Sequence, residues 1–566
     1  MKLHRLPAYA AAAAAALQLA GAGASATTTT TTTSTFEAHD FNVSAALEKL
    51  GVDISRLPEP EAGFIVREEG ARCEYACKAL TLLFNNNNND NQILSRNTSA
   101  YAEFTAAYWA AQQGALQPLC VFKPKRTGDV STLVLLSRLY QCPFAVKSGG
   151  HAALAGASSI DGGITVSLEH FQQVVVSGDR KTVEVGPGLR WVDVYMAVEK
   201  HGLSVAGGRM APVGISGLVL GGGISHFASK RGWACDNVAA FELVTASGVV
   251  VNVSDSSYPD LYWALRGGGN NFGVVTKFTL DAFPLGDMWG GMRVYLEDAF
   301  PAVLDAIAEF TVAGSVEDQD AAEIITFASA PGVGKTVFAN LHYSKPVADA
   351  PVFASWNNIT AIHDTTGLGR MSGMANLLNQ GAPASGGYET WWGISLKMDR
   401  PFLQFIVDTF YTQEAAIADV EKILLIMAIQ PITESALDAM QKRGGNALGL
   451  DPANGPYFVL NFNAAWTKAE DEPKFHTVIA NTIKLIKVEA KKRNLDNDFV
   501  YLNYASEFQD PIGSYGKKNK ERLIQVSTKY DPRQVFQYLQ PGGFKLVKGA
   551  LNTEIPNVSL SRGGEL

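Results

Sequence analysis

The chain has 566 residues, 47% of them hydrophobic and 18% charged, with 47 Lys and Arg against 55 Asp and Glu for a net charge of −8. This describes a globular chain with room for two or more domains. No basic stripe runs through it, which excludes nucleic acid as a partner on charge grounds.

The first 26 residues read as a signal peptide. Lys2, His4 and Arg5 give a positive start, Ala8 to Leu19 a short apolar core, and Ala24-Ser25-Ala26 the small residues of a cleavage site. The core is too short to span a bilayer, and no later stretch reaches membrane length free of charges, so a secreted protein with no membrane partner is expected. Residues 27–69 form a leader, opening with the threonine run Thr27–Thr33, which cannot build a core. Asn42, Asn97, Asn252, Asn358 and Asn557 each head an N-x-S/T triplet and are glycosylation acceptors in an exported chain. Cys73, Cys77, Cys120, Cys142 and Cys235 match no zinc spacing; in an oxidising compartment up to two pairs form and one thiol is left over.

Residues 36–115 read as helices and loops, with a polar break at Asn85–Asn91. From 116 to about 287 short β-rich runs such as "KTVEVGPG", "AFELVTASG" and "GVVTKFTL" alternate with glycine clusters and helical stretches. Between 288 and 495 longer strand-like runs ("AEIITFAS", "TVFANLHY", "WWGISLKM", "PYFVLNFNAAW") mix with amphipathic helices, which predicts a second domain of sheet backed by helices. "SAPGVGKT" imitates a phosphate-binding loop. It lacks the first glycine, having Ser329 there, and a strand-like run comes next where a helix is needed; a hairpin turn is the better reading. The tail comprises 548–566.

Three glycine stretches fall inside one predicted domain: Ser148-Gly149-Gly150 before His151, Gly221-Gly222-Gly223, and Gly267-Gly268-Gly269 running on to Gly273. Glycines let a backbone approach a ligand, and successive N–H groups make anion-binding concavities suited to a dinucleotide pyrophosphate. None is the G-x-G-x-x-G turn.

With these stretches, "PFAVKSGGH", "VGPGLRW", "GGRMAPVGISGLVLGGGIS", "CDNVAAFELVTASG", "DLYWALRGGGNNFGVVTKF" and the terminal "YLNYA…YDPRQVF" resemble the FAD-linked oxidases of the berberine-bridge-enzyme type, in the vanillyl-alcohol-oxidase superfamily. The resemblance is strong over about 70–290 and good over 495–545. It implies an α+β fold: a two-part PCMH-type FAD-binding domain from 70–287 (core about 116–287) and the returning segment 496–547, with a separate substrate domain at 288–495 of antiparallel sheet backed by helices.

The implications of the resemblance carry over residue by residue. His151 takes the place of the histidine bonded to the 8α-methyl of the flavin. Met210, in "GRMAPVG", takes that of a second, cysteine tether, so a single covalent link is expected. Val213 stands at a position that controls oxygen access to the flavin. Cofactor contacts fall on Lys147, Ser148, Gly149, Gly150, Ala152, Gly156, Gly208, Val213, Gly214, Gly217, Gly221, Gly222, Gly223, Ile224, Val274 and Asn503. Tyr504 is the expected base, with Tyr501 and then Asp399 behind it; were "YLNYA" a strand, Tyr501 and Asn503 would share a face. His226, in "GISHFAS", replaces a residue that is more often bulky packing. A Cys77–Cys142 disulfide is implied, with Cys73–Cys120 as a second pair and Cys235 free. No metal is expected. The function implied is a monomeric oxidase taking hydride from an alcohol or similarly activated carbon of a small molecule, with O2 as re-oxidant giving H2O2. A sugar oxidase and a flavin-binding cyclase or scaffold without net redox turnover are the alternatives.

Overall fold

Sheet-forming runs and their crossovers decide the architecture. The computed structural model describes residues 35–59, 69–85, 92–330, 332–380, 382 and 384–560. The signal-peptide and threonine-run readings and most of the Asn85–Asn91 break lie outside these residues. From Thr35 onward the chain is one compact unit, with three sheets among the described residues.

The first sheet has the order Ile93–Ser95, Cys120–Phe122, Ile164–Ser167, Phe144–Lys147. Its last three strands are parallel, and parallel neighbours need a crossover. The helix Thr127–Tyr140 carries the chain from Cys120–Phe122 to Phe144–Lys147, the two strands that flank Ile164–Ser167. Asp129 caps its start by accepting the Arg126 N–H at 3.1 Å, and Gln141 closes it in the left-handed region at φ 51°. The second sheet is antiparallel, built on Val274–Pro284, which lies between Thr182–Val185 and Val238–Val244.

The third sheet is also antiparallel and holds the six long strands Met288–Leu296, Gly334–Tyr343, Ala321–Ala330, Lys422–Ile432, Tyr457–Trp466 and Tyr388–Lys397, in that spatial order. Ala330 pairs with Gly334, so the phosphate-loop imitation is a hairpin turn, as its flanking strands require. Alternation divides each strand between two faces. Along Ala321–Ala330, Ile325 and Phe327 enter a core shared with the helices Phe300–Glu309, Arg400–Glu414 and Glu472–Arg493, while Ile324, Thr326 and Ala328 face a cavity. Residues 297–317 are long and apolar enough to cross a membrane by composition, but Phe300, Val303, Leu304, Ile307 and Phe310 pack them into this core.

Two expectations are corrected. "YLNYA" is a single 3₁₀ turn, Leu502–Tyr504, closed by Tyr504 N–H donating to Tyr501 O at 2.9 Å. Residues three apart eclipse in such a turn, so Tyr504 lies beside Tyr501 with ring centroids 4.8 Å apart, while Asn503 also reaches the Tyr501 oxygen, donating from Nδ2 at 2.9 Å. The disulfides are Cys73–Cys142 and Cys77–Cys120. Both partners on the helix Glu69–Phe84 are one turn apart, about 5.4 Å along its axis. That one-turn offset exchanges their partners, with Cα–Cα separations of 4.8 and 6.1 Å. Cys235 is free and buried. Non-reducing peptide mapping is expected to recover these two links and an unreactive Cys235. Each bridge closes a long loop, of sequence separation 69 and 43, and losing either is expected to cost about 2–5 kcal/mol in unfolding titrations. Recovery of a Cys77–Cys142 peptide contradicts this arrangement.

Candidate active site

Between the glycine-rich loops and the open face of the third sheet lies a cavity of about 830 Å³. One wall is main chain from the loops at 148–154, 209–218 and 269–275 and the C-terminal segments 501–505 and 540–544; the other is the sheet. The loops come together because glycines meet there. A Cβ on Gly149 would lie 2.6 Å from Gly214 Cα, and one on Gly214 only 2.3 Å from Gly149 N. Any side chain at either position drives the two loops apart. Gly214→Ala is therefore expected to lower flavin retention and to destabilise the fold by about 1–3 kcal/mol. Flavin-to-protein absorbance ratios and thermal melts check this; a variant with full flavin content and native stability contradicts it.

Of the residues singled out in the sequence, Ser148, Gly149, Gly150, His151, Ala152, Val213, Gly214, Gly217, Ile224, Val274, Tyr501, Asn503 and Tyr504 line this cavity. Others stand behind its wall. Lys147 alternates away from Val146, and its ammonium lies 4.2 Å from the ring centroids of both Phe104 and Tyr108. Gly208 leaves room for Trp191, Gly221 for the Asn503 amide and Gly222 for Trp233. Gly223 is in the left-handed region at φ 89°, and Gly156 sits under Gly542. Asp399 is not in the site: its carboxylate caps the helix Arg400–Glu414 by accepting the Phe402 N–H at 2.8 Å. Trp391 faces the cavity, whereas Trp392 turns into the opposite core and stacks on Phe508.

His151 is half-buried and stacked on Trp109, with centroids 4.2 Å apart. Its Nε2 has no hydrogen-bonding partner among the described residues. Burial, and secondarily the charge of Arg190, lowers its pKa to about 4, so the imidazole is neutral and keeps a nucleophilic lone pair. Ser158 Oγ, Ser216 Oγ and Gln540 Oε1 are likewise buried, unpartnered and on the loop wall. A polar group that is left unpaired in the interior costs free energy. Unpaired donors and acceptors around a main-chain cradle are the chemistry a flavin dinucleotide requires, so the residues present fit FAD.

The opposite end holds a polar clamp. Tyr504 donates its hydroxyl to Gln430 Oε1 at 3.1 Å and accepts from Arg209 Nη2 at 2.7 Å, while Arg209 Nη2 also donates to Gln430 Oε1 at 2.6 Å. Gly393 makes space for Tyr504: a Cβ there would lie 3.2 Å from the tyrosine Cβ. Gln509 ties the turn to the same strand through both Gly393 N–H and C=O. Tyr501 serves differently. Its oxygen accepts from Gly223 N–H at 3.0 Å, Ile224 N–H at 3.2 Å and Asn503 Nδ2 at 2.9 Å, which pins the triple-glycine loop to the C-terminal segment. Burial, with Tyr504 alongside, raises its pKa.

Arg209 and Gln430 escape the sequence reading. Arg209 lies in a quoted motif whose glycines, Met210 and Val213 stand out instead, and Gln430 is one polar residue in an apolar strand. Only pairing across 221 positions brings them together.

Comparison with known proteins defines the class. Residues 118–254 match an FAD-binding-domain model and residues 500–541 a "Berberine and berberine like" model. The FAD-dependent monooxygenase tpcD of Cochliobolus heterostrophus is 39% identical over 463 residues, covering 78% of this chain and 87% of that protein. The bifunctional solanapyrone synthase of Alternaria solani is 31% identical over 461 residues, covering 79% and 85%. Among solved structures, Physcomitrella patens BBE-like 1 superposes with a TM-score of 0.66 at 18% identity, covering 82% of this chain and 97% of that one. Xylooligosaccharide oxidase from Myceliophthora thermophila C1 gives 0.65 at 18%, covering 84% and 98%. The fold is thus that of the PCMH-type FAD-binding oxidases. The chain belongs to the berberine-bridge-like family of FAD-dependent oxidoreductases.

Proposed function

We propose that this chain is a secreted, monomeric oxidase of fungal secondary-metabolite type that carries FAD on a single covalent bond to His151 and oxidises an alcohol, or a similarly activated carbon, of an uncharged small molecule. The observation that carries the reading is the pairing of a neutral, unpartnered imidazole at one end of the cavity with the Tyr504–Arg209–Gln430 clamp at the other. When bound, FAD supplies the hydride acceptor and passes the two electrons to O2 as hydrogen peroxide. Ionised to the phenolate, which the Arg209 cation beside its oxygen stabilises, Tyr504 accepts the proton of the substrate hydroxyl as the carbon loses hydride. Val213 flanks the cavity where oxygen enters. The sheet wall supports an uncharged substrate. Asn340, Asn461 and Asn463 line it, and Asn461 Oδ1 and Trp391 Nε1 are an unpartnered acceptor and donor suited to hydroxyl and carbonyl groups. Export is supported by the five acceptor asparagines, all of which are exposed.

Anaerobic mixing with a panel of benzylic and allylic alcohols, their phenolic derivatives, and xylobiose tests the reading. Flavin bleaching by an alcohol, with one peroxide per oxygen consumed on re-aeration, is expected. Bleaching by xylobiose alone makes the chain a sugar oxidase. Substrate conversion without bleaching makes it a cyclase.

A further inference from the structure

Behind the clamp, and separate from the main cavity, lies a second cavity of about 20 Å³. Arg209 and Gln430 line both cavities and so form the partition between them. His226 lies on its wall, and His342 packs against His226 with ring centroids 3.8 Å apart at 39°. All four ring nitrogens of the pair are buried and unpartnered among the described residues. Glu323 passes this space on the strand Ala321–Ala330, but its carboxylate belongs to the opposite face of the sheet, where Oε2 accepts from Trp356 Nε1 at 3.0 Å.

The two unpaired ring nitrogens of His226 border this space and those of His342 lie against them; they are costly to leave dry, and the space suffices for a single water, which needs two to four polar partners. Direct pairing within the histidines does not relieve them, because their rings lie over one another rather than edge to edge. A metal is disfavoured by the Arg209 cation. The charged group facing the pair is Arg209, which lowers the pKa of both. Burial, reinforced by Arg209, takes His342 down to about 3 and His226 well below the ordinary range. Both imidazoles are therefore neutral, each with one N–H and one lone pair.

Arg209 has five N–H donors and no acceptor, and only Nη2 is used on Tyr504 and Gln430. We propose that His226 and His342 hold an internal water that accepts from Arg209 and donates to an imidazole lone pair, making the two histidines positioning residues that aim the guanidinium at Tyr504. This rests on the base assignment of Tyr504 only for its purpose; the water site stands on the histidines alone. It also gives His226 a role where a packing residue is more usual.

Two readouts on the flavin-loaded protein need no substrate. A high-resolution crystal structure should show a water within hydrogen-bonding distance of Arg209 and of a ring nitrogen of the pair. In NMR of protein labelled with ¹⁵N-arginine, with the Arg209 signals assigned by their loss in Arg209→Lys, the guanidinium should show slow, resolved rotation. In His226→Phe and His342→Phe that rotation should quicken about tenfold or more, the scale of losing one charge-assisted hydrogen bond, and His342→Gln should restore it. Unchanged rotation in folded Phe variants overturns the proposal. So does a dry cavity in the native crystal, which decides the matter even if those variants do not fold. Neither result touches the role of Tyr504, whose failure would show separately as normal flavin reduction in Tyr504→Phe.

Discussion

His151→Ala is expected to give a protein whose flavin is released completely by acid precipitation, whereas in the native protein the yellow colour stays with the pellet. The effect is all-or-none because one bond is involved. Tethering needs a nucleophile that is unprotonated, unengaged and close to the cofactor cradle. His151 meets all three conditions: burial keeps it neutral, Nε2 is unpaired, and the loop immediately before it is the Gly149–Gly214 contact. No cysteine competes. Four of the five are paired in disulfides and Cys235 is buried elsewhere, its thiol pushed up by burial. Met210 lines the cavity but offers only a thioether. Acid-stable flavin in His151→Ala would place the tether on another residue and remove the central support for the functional reading.

How much of the molecule is legible in the sequence depends on how local each feature is. The strands Thr182–Val185, Val238–Val244 and Val274–Pro284 are read correctly because β-branched runs bounded by glycine carry their own signal. The hairpin at Ala330–Gly334 is read for the same reason: the second strand of the pair begins within a few residues of the turn and shows its own β-rich run. His151 stands out because small residues on both sides strip the loop of every other chemical group. The misreadings concern direction and pairing. "YLNYA" has the aromatic content of a strand, yet it is a turn because Tyr501 is spent on the triple-glycine loop and Asn503 on Leu218 C=O just before it, some 280 positions earlier, a tertiary demand that no local propensity records. The cysteine pairs differ from the expected ones by one helical turn, an offset that spacing alone does not reveal. Asp399 precedes a helix start, Arg400-Pro401, and the capping role that this implies competes with a catalytic one. Lys147 is adjacent to the right loop but on the wrong face of its strand.

Tyr504→Phe should leave flavin bound and the fold intact while slowing flavin reduction by about 100-fold or more, the ordinary scale for losing a general base. The substitution removes one oxygen. The ring contacts with Trp391 at 5.1 Å and Tyr501 at 4.8 Å remain, and Arg209 keeps Gln430 as a partner, so a loss of rate reports chemistry rather than packing. Stopped-flow reduction with an alcohol that bleaches the native flavin is the measurement. The competing candidates are weaker on geometry. Tyr501 is fully enclosed and its oxygen already takes three N–H donors; Asp399 is a helix cap outside the cavity lining. An acidic group on the cavity-facing side of the sheet is Glu389, two residues before Trp391. It accepts from Asn463 Nδ2 at 3.2 Å, and burial raises its pKa to about 8. It is thus protonated near neutrality and, like Tyr504, accepts a proton only once ionised, but among the described residues no cation stands beside it as Arg209 stands beside Tyr504. A native rate in Tyr504→Phe would refute the tyrosine and shift the assignment to Glu389, where the distinguishing sign is a reduction rate that climbs as pH rises through about 8 and flattens in Glu389→Gln.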